Sequence, residues 1–441
     1  MAVVRSSMSS APAVAAVQKD KPAVSRHWVY SFSLFKMASD SVDTVLLVFA
    51  AALGASATTV ALVDAVGDIG AVVGLVVIGG LADKLGPRWW FLGLLMACPA
   101  LVMFGFAATS SIALIIGLSV VWGIVFVGPM PLTSVIIMRS FPQHRWSEQH
   151  VRISTMNTLG TTMGMVVAVV WLGIGELLFG DLAALRIFFM IGVGLIVTST
   201  VTGLFWLGRA GSAPDPTLAR SSKYKAARPA ASGNGARYGH AAPAGENEHP
   251  AARRAPYSDR LKSVFLVNAV YFVGLGLSVS VIPVYLRTQL NAPVFLMMSA
   301  AVASSLASTF SMPFIGRAMS KPMSLRLFPV AIGGRALLMI AVGLVGFVLP
   351  QHVALGAVVL CMVGVGVCGA AASVCTSLRV SRFAPPGMAG STSGRYTALT
   401  FLALAVGSVA GGVIAEHAGY TYVFVLSAIW LFVAARLSVR L

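Results

Sequence analysis

Charge is scarce in this chain of 441 residues: 10% are Asp, Glu, Lys or Arg, with 14 acids against 31 bases. Soluble domains carry about 25% charged residues. Hydrophobic residues make up 57% and the mean hydropathy is +0.87, which leaves a membrane protein. Cysteine is rare too, limited to Cys98, Cys361, Cys368 and Cys375. The last three share one helix face, but seven residues rise about 10.5 Å, too far for a disulfide or a common metal. They read as small packing residues. In "QHRWSEQH", His144, Glu148 and His150 sit in a short loop beside Arg145 and read as a solvated basic turn rather than a metal cluster. No metal and no cofactor is therefore expected, and with no nucleophile and base evident, no enzyme either. Strand-like alternation in segments of about 10 residues is missing, which excludes a membrane β-barrel. The N-terminal "MAVVRSSMSSAPAVAAVQKDKPAVSRH" lacks the continuous apolar stretch of a secretory signal.

What is present is a series of apolar runs of about 20 residues, the length that crosses a bilayer. They begin near Trp28, Ala57, Trp89, Ile112, Ser154 and Leu185, and again near Leu261, Val294, Leu327, His352, Thr392 and Tyr420. This predicts an all-α membrane protein of twelve transmembrane helices in two six-helix halves, 28–207 and 261–441. Residues 1–27 read as a disordered tail. Residues 208–260, dense in Ala, Pro, Gly and basic residues, cannot bury enough apolar surface to fold and read as a flexible linker. Lys84, Arg88, Arg139, Arg145, Arg317, Lys321, Arg326, Arg379 and Arg382 fall on one side with both tails and the linker. Arg186 and Arg287 are almost alone on the other. Positive charge marks the cytoplasmic face, so both termini are expected in the cytoplasm and the protein in the plasma (inner) membrane. The net charge of +17 then implies contact with anionic lipid, not nucleic acid.

Between the second and third spans stands "GGLADKLGPRWW", with Gly79, Asp83, Lys84, Gly86 and Arg88 in the pattern G-x-x-x-D-[RK]-x-G-x-[RK]. Glycine permits a tight loop, while the acid can cap a helix N-terminus and pair with bases. Placed there in a six-plus-six chain with a central linker, the motif resembles that of the major facilitator superfamily, and the resemblance runs from Trp28 to Arg440. "GRAMSKPMSLR" after the eighth span is similar to a weakened second copy, keeping Gly316, Lys321 and Arg326 with Ser320 in the acid's place. "SVSVIPVYLRTQLNAP" and "GSVAGGVIAEHAGYTYVF" resemble stretches of bacterial sugar efflux transporters. The fifth span's "LGTTMGMVVAVV" has Gly160 and Gly164 but not the proline that many antiporters of the family carry there. The resemblance implies a two-half transporter working by alternating access, its cavity lined by the first, fourth, seventh and tenth spans. It also implies that the second and eleventh spans meet, and Gly67, Gly70, Gly74, Gly407 and Gly411 are read as serving that approach. Pro129 or Pro131 is expected to kink the fourth span.

Five ionisable residues fall inside the first two spans: Lys36, Asp40, Asp43, Asp64 and Asp68. Each would cost about 2.5 to 3.5 kcal/mol against lipid. Lys36, Asp40 and Asp43 lie within about 60° on one helix, and Asp64 and Asp68 within about 40° on the next, so both sets form stripes. Ion pairing around a buried lysine, with surplus acids protonated, is one account. The favoured one is a proton-coupling or substrate-facing site built on Asp40 and Asp43, with Lys36 as counter-charge and Asp64 and Asp68 assisting, because clustered acids in a poorly hydrated cavity disfavour joint ionisation. Arg335, eight residues into the ninth span, reads as peripheral, snorkelling or paired. Arg152 and Arg395 read as anchors. Asn157, Thr161, Thr162, Asn268 and Tyr271 are polar groups able to contact a hydroxylated substrate or to bridge helices. The expected function is proton-coupled efflux of a small sugar-like or drug-like molecule by a monomer. Proton-symport uptake is the first alternative, and a membrane-embedded enzyme the more distant one.

Overall fold

The structure is a computed structural model that describes residues 28–85, 89–130, 133, 137, 146–208, 259–319, 327–383 and 389–439. The expected tail 1–27 lies outside them, as does the linker read at 208–260 except for its first and last residues. Among the described residues twelve long helices follow one another: α1 (Trp28–Ala52), α2 (Ala57–Leu85), α3 (Trp89–Ala108), α4 (Ile112–Phe126), α5 (Trp146–Phe179), α6 (Asp181–Gly208), α7 (Asp259–Val279), α8 (Val294–Met319), α9 (Leu327–Val348), α10 (Gln351–Phe383), α11 (Ala389–His417) and α12 (Tyr420–Ser438). A short helix, Ile282–Thr288, prolongs α7. Ten spans are long and apolar enough to cross a membrane. The other two are α4, which has 15 residues, and α1, which carries Lys36, Asp40 and Asp43. Helices satisfy every backbone group internally, which lipid requires. Leu101, Val76, Phe310 and Leu360 are among the many large apolar side chains left on the outer surface, where lipid rather than water is the solvent.

The packing repeats with a period of six helices. α5 lies on α1 as α11 lies on α7; α4 on α2 as α10 on α8; α6 on α3 as α12 on α9. Across the halves, α2 meets α11 and α5 meets α8, which is the same pairing seen from either half. The turns repeat as well. Gly54 after α1 and Asn291 before α8 have φ of 83° and 45°, and Gly180 and Gly419 take 80° and 100° in the two equivalent turns that follow α5 and α11. Left-handed backbone is open to glycine at little cost and to asparagine at some.

Small residues set the close contacts, though not where the sequence placed them. Gly67, Gly70 and Gly74 face α4, against the backbone of Ser119, Val120 and Ile124, not α11. Gly407 and Gly411 face α7 at Val273 and Leu277. α2 and α11 do meet, through Gly412, where an added Cβ would lie 2.5 Å from that of Ala61 and 2.9 Å from the Ala57 carbonyl oxygen. The reason is geometric: a glycine stripe announces close approach but not which neighbour approaches. α5 begins at Trp146 rather than near Ser154, because its first two turns are polar yet helical. The fourth span breaks at Val127–Gly128 and resumes at Pro129. Pro131 lies outside the described residues.

Gly160 and Gly164 on α5 make intra-half contacts of the same backbone kind: a side chain there would overlap the carbonyl oxygens of Ser33 and Met37 on α1. Backbone cannot yield as a flexible side chain does, so Gly164→Val should cost about 3 kcal/mol or more. It should clearly lower the apparent melting temperature of the detergent-solubilised protein. Gly194→Ala on α6, where an added Cβ meets open space, should not.

Candidate functional site

The charged stripe of α1 faces inward. Lys36 Nζ donates to Asp40 Oδ1 at 2.5 Å and stands 4.5 Å from the centre of the Phe126 ring, a cation held by a carboxylate and an aromatic face. The other oxygen of Asp40 accepts a short hydrogen bond from the Thr161 hydroxyl on α5. One helical turn on, Asp43 Oδ1 accepts from the indole Nε1 of Trp122 on α4 at 3.1 Å. Trp122 is itself fixed by Phe106, which packs in turn on Phe189. On α2, Asp64 Oδ2 accepts from Ser408 Oγ on α11 at 2.8 Å, a bond that crosses between the halves. Asp68 forms no hydrogen bond or ion pair among the described residues.

Two cavities adjoin these groups. The smaller, about 30 Å³, is bounded by Asp43, Asp64 and Asp68 together, closed off by Trp122, Ser119 and Phe401. It has room for about one water molecule among three carboxylates. The larger, about 620 Å³, lies between the halves and is walled by Lys36, Asp40, Asp43 and Asp64 on one side. Hydroxyls of α5 and α8 line it, among them Thr161, Ser304 and Ser308, with Met165, Met297, Met312, Met339 and Met362 as its apolar surface. Asp43 is exposed to this space although it is deep among helices.

The five residues of the α1 and α2 stripes are thus brought together. Of the polar groups expected to contact substrate, Asn157 lines the larger cavity, its Oδ1 buried without a partner. Thr161 and Thr162 line it too, Thr162 hydrogen bonded to Thr309 across the halves at 2.7 Å. Asn268 and Tyr271 stand behind the wall: Asn268 accepts from Thr376, and the Tyr271 hydroxyl accepts from Arg335 at 3.1 Å. The cavity's helices are α1, α5, α8, α10 and the α7 extension more than the four spans expected, and α4 contributes through Trp122 at the smaller cavity. Arg335, read as peripheral, lines the cavity instead. Its signal was present but not legible: Gly369 on α10 leaves the gap through which the guanidinium passes. In the loop motif, Gly79 lies on the last turns of α2 with open space beside it. Asp83 and Lys84 end that helix, and their side chains, with Gly86 and Arg88, lie outside the described residues. So do the side chains of His144, Glu148 and His150. Among the described residues no three His, Cys, Asp or Glu side chains converge to hold a metal ion.

Besides Asp64–Ser408 and Thr162–Thr309, three polar contacts between the halves gather at one end of the bundle, away from the start of α1. Ser56 donates to Glu416 at 3.1 Å, Arg287 pairs with Asp181 at 3.1 Å, and the Phe295 amide donates to Glu176 at 3.0 Å.

The profile of the Major Facilitator Superfamily matches residues 30–403 and 264–441. None of the curated proteins compared with the chain matches it. Among solved structures, the fold is similar to the nucleoside transporter NupG, with TM-score 0.65 at 15% identity over 94% of this chain and 97% of that one. It is similar to a bacterial homologue of the human lysosomal transporter Spinster, in an inward-facing, unoccupied conformation, with TM-score 0.68 at 14% identity over 93% and 95%. It is also similar to a D-xylose-proton symporter, with TM-score 0.66 at 13% identity over 93% and 95%.

The Lys36–Asp40 pair has side chains 13% and 20% exposed, so removing one partner strands the other charge. Lys36→Met alone should destabilise the protein by about 3 kcal/mol or more, and the double variant Lys36→Met, Asp40→Asn should recover most of it. Thermal unfolding in detergent reads the cycle.

Proposed function

Because the chain belongs to the major facilitator superfamily and is therefore a multi-pass secondary transporter of that type, we propose that it couples proton movement to the export of a small molecule by alternating access. The observation that carries this reading is the pair of adjoining cavities, in which three carboxylates surround a space of about 30 Å³ and two of them also face a space of about 620 Å³. Carboxylates so close, in apolar surroundings and with one small aqueous space between them, resist simultaneous ionisation; a proton is then shared among them and its departure is felt at the solute cavity. Asp43 and Asp64 are the coupling residues, since each belongs to both cavities. Lys36 and Asp40 form the fixed pair that positions α1 against α5.

The energy is adequate. One charge moved through 100 mV is worth about 2.3 kcal/mol, enough for a solute gradient of about 50-fold. The halves are bound together at the end remote from the start of α1, so the cavity communicates with the tail side, which the positive-inside rule assigns to the cytoplasm of a plasma membrane. That is the state from which an exporter loads. The solute meets hydroxyls of α5 and α8 together with methionines, an adaptable surface that accepts varied apolar shapes.

The test uses everted membrane vesicles with an imposed ΔpH. Asp43→Asn and Asp64→Asn should each abolish ΔpH-driven accumulation of solute, whereas Asp181→Asn, at the rim, should not. Equal accumulation by wild type and both variants would remove proton coupling at these acids; accumulation only in right-side-out vesicles would reverse the direction and make the protein an uptake symporter.

A further inference from the structure

Arg335 is the charged group that the coupling reading leaves unused. It stands on α9, a helix otherwise apolar at this depth, and follows Gly333 and Gly334. Its side chain runs inward past α10. A Cβ on Gly369 would lie 3.0 Å from Nη1, and one on Gly334 would lie 3.2 Å from the Cys368 sulfur. The small residues thus form a slot through which a peripheral helix delivers a guanidinium to the cavity wall, beside Met339 and Met362. There Nη1 donates to the Tyr271 hydroxyl at 3.1 Å. Nε is buried without a hydrogen-bond partner, and among the described residues no carboxylate pairs with Arg335. The acids of the site lie on α1 and α2, where Asp40 is already matched by Lys36.

A guanidinium has five donors in a flat fork shaped for a carboxylate, and a buried one left without an anion is costly. Tyrosine is neutral and satisfies one donor only. The cavity is therefore bipolar: carboxylates on the wall of the first half, an unneutralised arginine on the wall of the second, methionines between.

We propose that Arg335 is the anion-recognition group of the transport cavity, binding the carboxylate or sulfonate of an amphiphilic organic solute whose apolar body rests on the methionine surface. Asp43 and Asp64 repel the anionic end, which fixes the solute's orientation, and Tyr271 holds the guanidinium in register. The inference rests on the larger cavity being the transport site and narrows its substrates from small molecules in general to organic anions and zwitterions.

Equilibrium binding to the full chain in lipid nanodiscs separates this from the coupling reading, because no gradient is applied. The probe is dansylglycine, a fluorescent carboxylate, compared with dansylglycinamide, its neutral counterpart of nearly the same shape. Wild type should show saturable binding of dansylglycine above empty nanodiscs, and bind the amide about tenfold or more weakly. Arg335→Gln should weaken dansylglycine by about the same factor and leave the amide unchanged, with Arg335→Lys intermediate because it keeps the charge but loses the fork. Gly369→Val, which fills the slot without touching the charge, should act like Arg335→Gln. Unchanged binding of the amide certifies that each variant is folded. No saturable dansylglycine binding by wild type, equal binding of acid and amide, or an Arg335→Gln protein that binds dansylglycine as wild type does would each overturn the proposal. None of those results bears on Asp43 and Asp64 in the ΔpH assay.

Discussion

Carboxylates inside an apolar bundle need donors, and here Asp40, Asp43 and Asp64 each take one from another helix. Asp40 on α1 is held by Lys36 and by Thr161 of α5, Asp43 by Trp122 of α4, and Asp64 on α2 by Ser408 of α11. A charged hydrogen bond in low dielectric is stronger than the same bond in water, and a stranded partner costs correspondingly more. These bonds therefore tie α1 to α4 and α5, and α2 to α11. Among these carboxylate bonds, Asp64–Ser408 is the one that crosses between halves. In the proposed cycle it is the one whose strength changes with a proton and whose breakage accompanies separation of α2 from α11.

The contacts within and between halves differ in kind. Within a half, glycine brings backbone against backbone: Gly160 and Gly164 on α1, Gly407 and Gly411 on α7, Gly123 on α2, Gly366 on α8. Such interfaces have no slack, since sliding drives a carbonyl oxygen into a neighbouring chain. Between halves, apart from the close approach of α2 and α11 at Gly412, side chains carry most of the polar contacts: Ser56 with Glu416, Thr162 with Thr309, Arg287 with Asp181. Side-chain bonds can be exchanged for water or for new partners at small cost. The same sequence thus specifies two stiff bodies and a remakeable seam, which is what rocking about a central site needs.

Much of this was legible in the chain. Apolar run length located twelve spans, and the helical period put Lys36, Asp40 and Asp43 on one stripe and Asp64 and Asp68 on another. What the period could not supply was the neighbour. The spacing of Gly67, Gly70 and Gly74 announces a close-contact stripe but not that the neighbour is α4 rather than α11, since one helix's sequence does not name the helix beside it. Arg335 was read as peripheral because its own helix lies outside; the deciding residue, Gly369, sits on another helix 34 positions further along. Asn268 and Tyr271 show the same limit, polar at cavity depth yet engaged with Thr376 and Arg335 behind the wall. The start of α5 is hidden for a different reason: "WSEQHVR" is polar, and polar composition at a membrane face masks a helix that continues past it.

The backbone repeats while the chemistry does not. Gly160 and Gly164 seat on Ser33 and Met37 as Gly407 and Gly411 seat on Val273 and Leu277, and in that correspondence Asp40 and Asp43 of α1 match Ser280 and Pro283 of the second half. Likewise Gly123 seats on Gly67 as Gly366 seats on Ser304, which matches Asp64 and Asp68 to Ala301 and Ser305. The second half has no acid at any of these places; Arg335 is its cavity-lining charge. A symmetric scaffold with an excess of carboxylates on one wall and an arginine on the other binds a bipolar ligand best when the walls face each other, and worse when they part. A ligand can shift a conformational equilibrium only by its differential affinity for the two states. Asymmetric charge on symmetric halves is therefore a means by which solute binding and proton binding can act on the same movement.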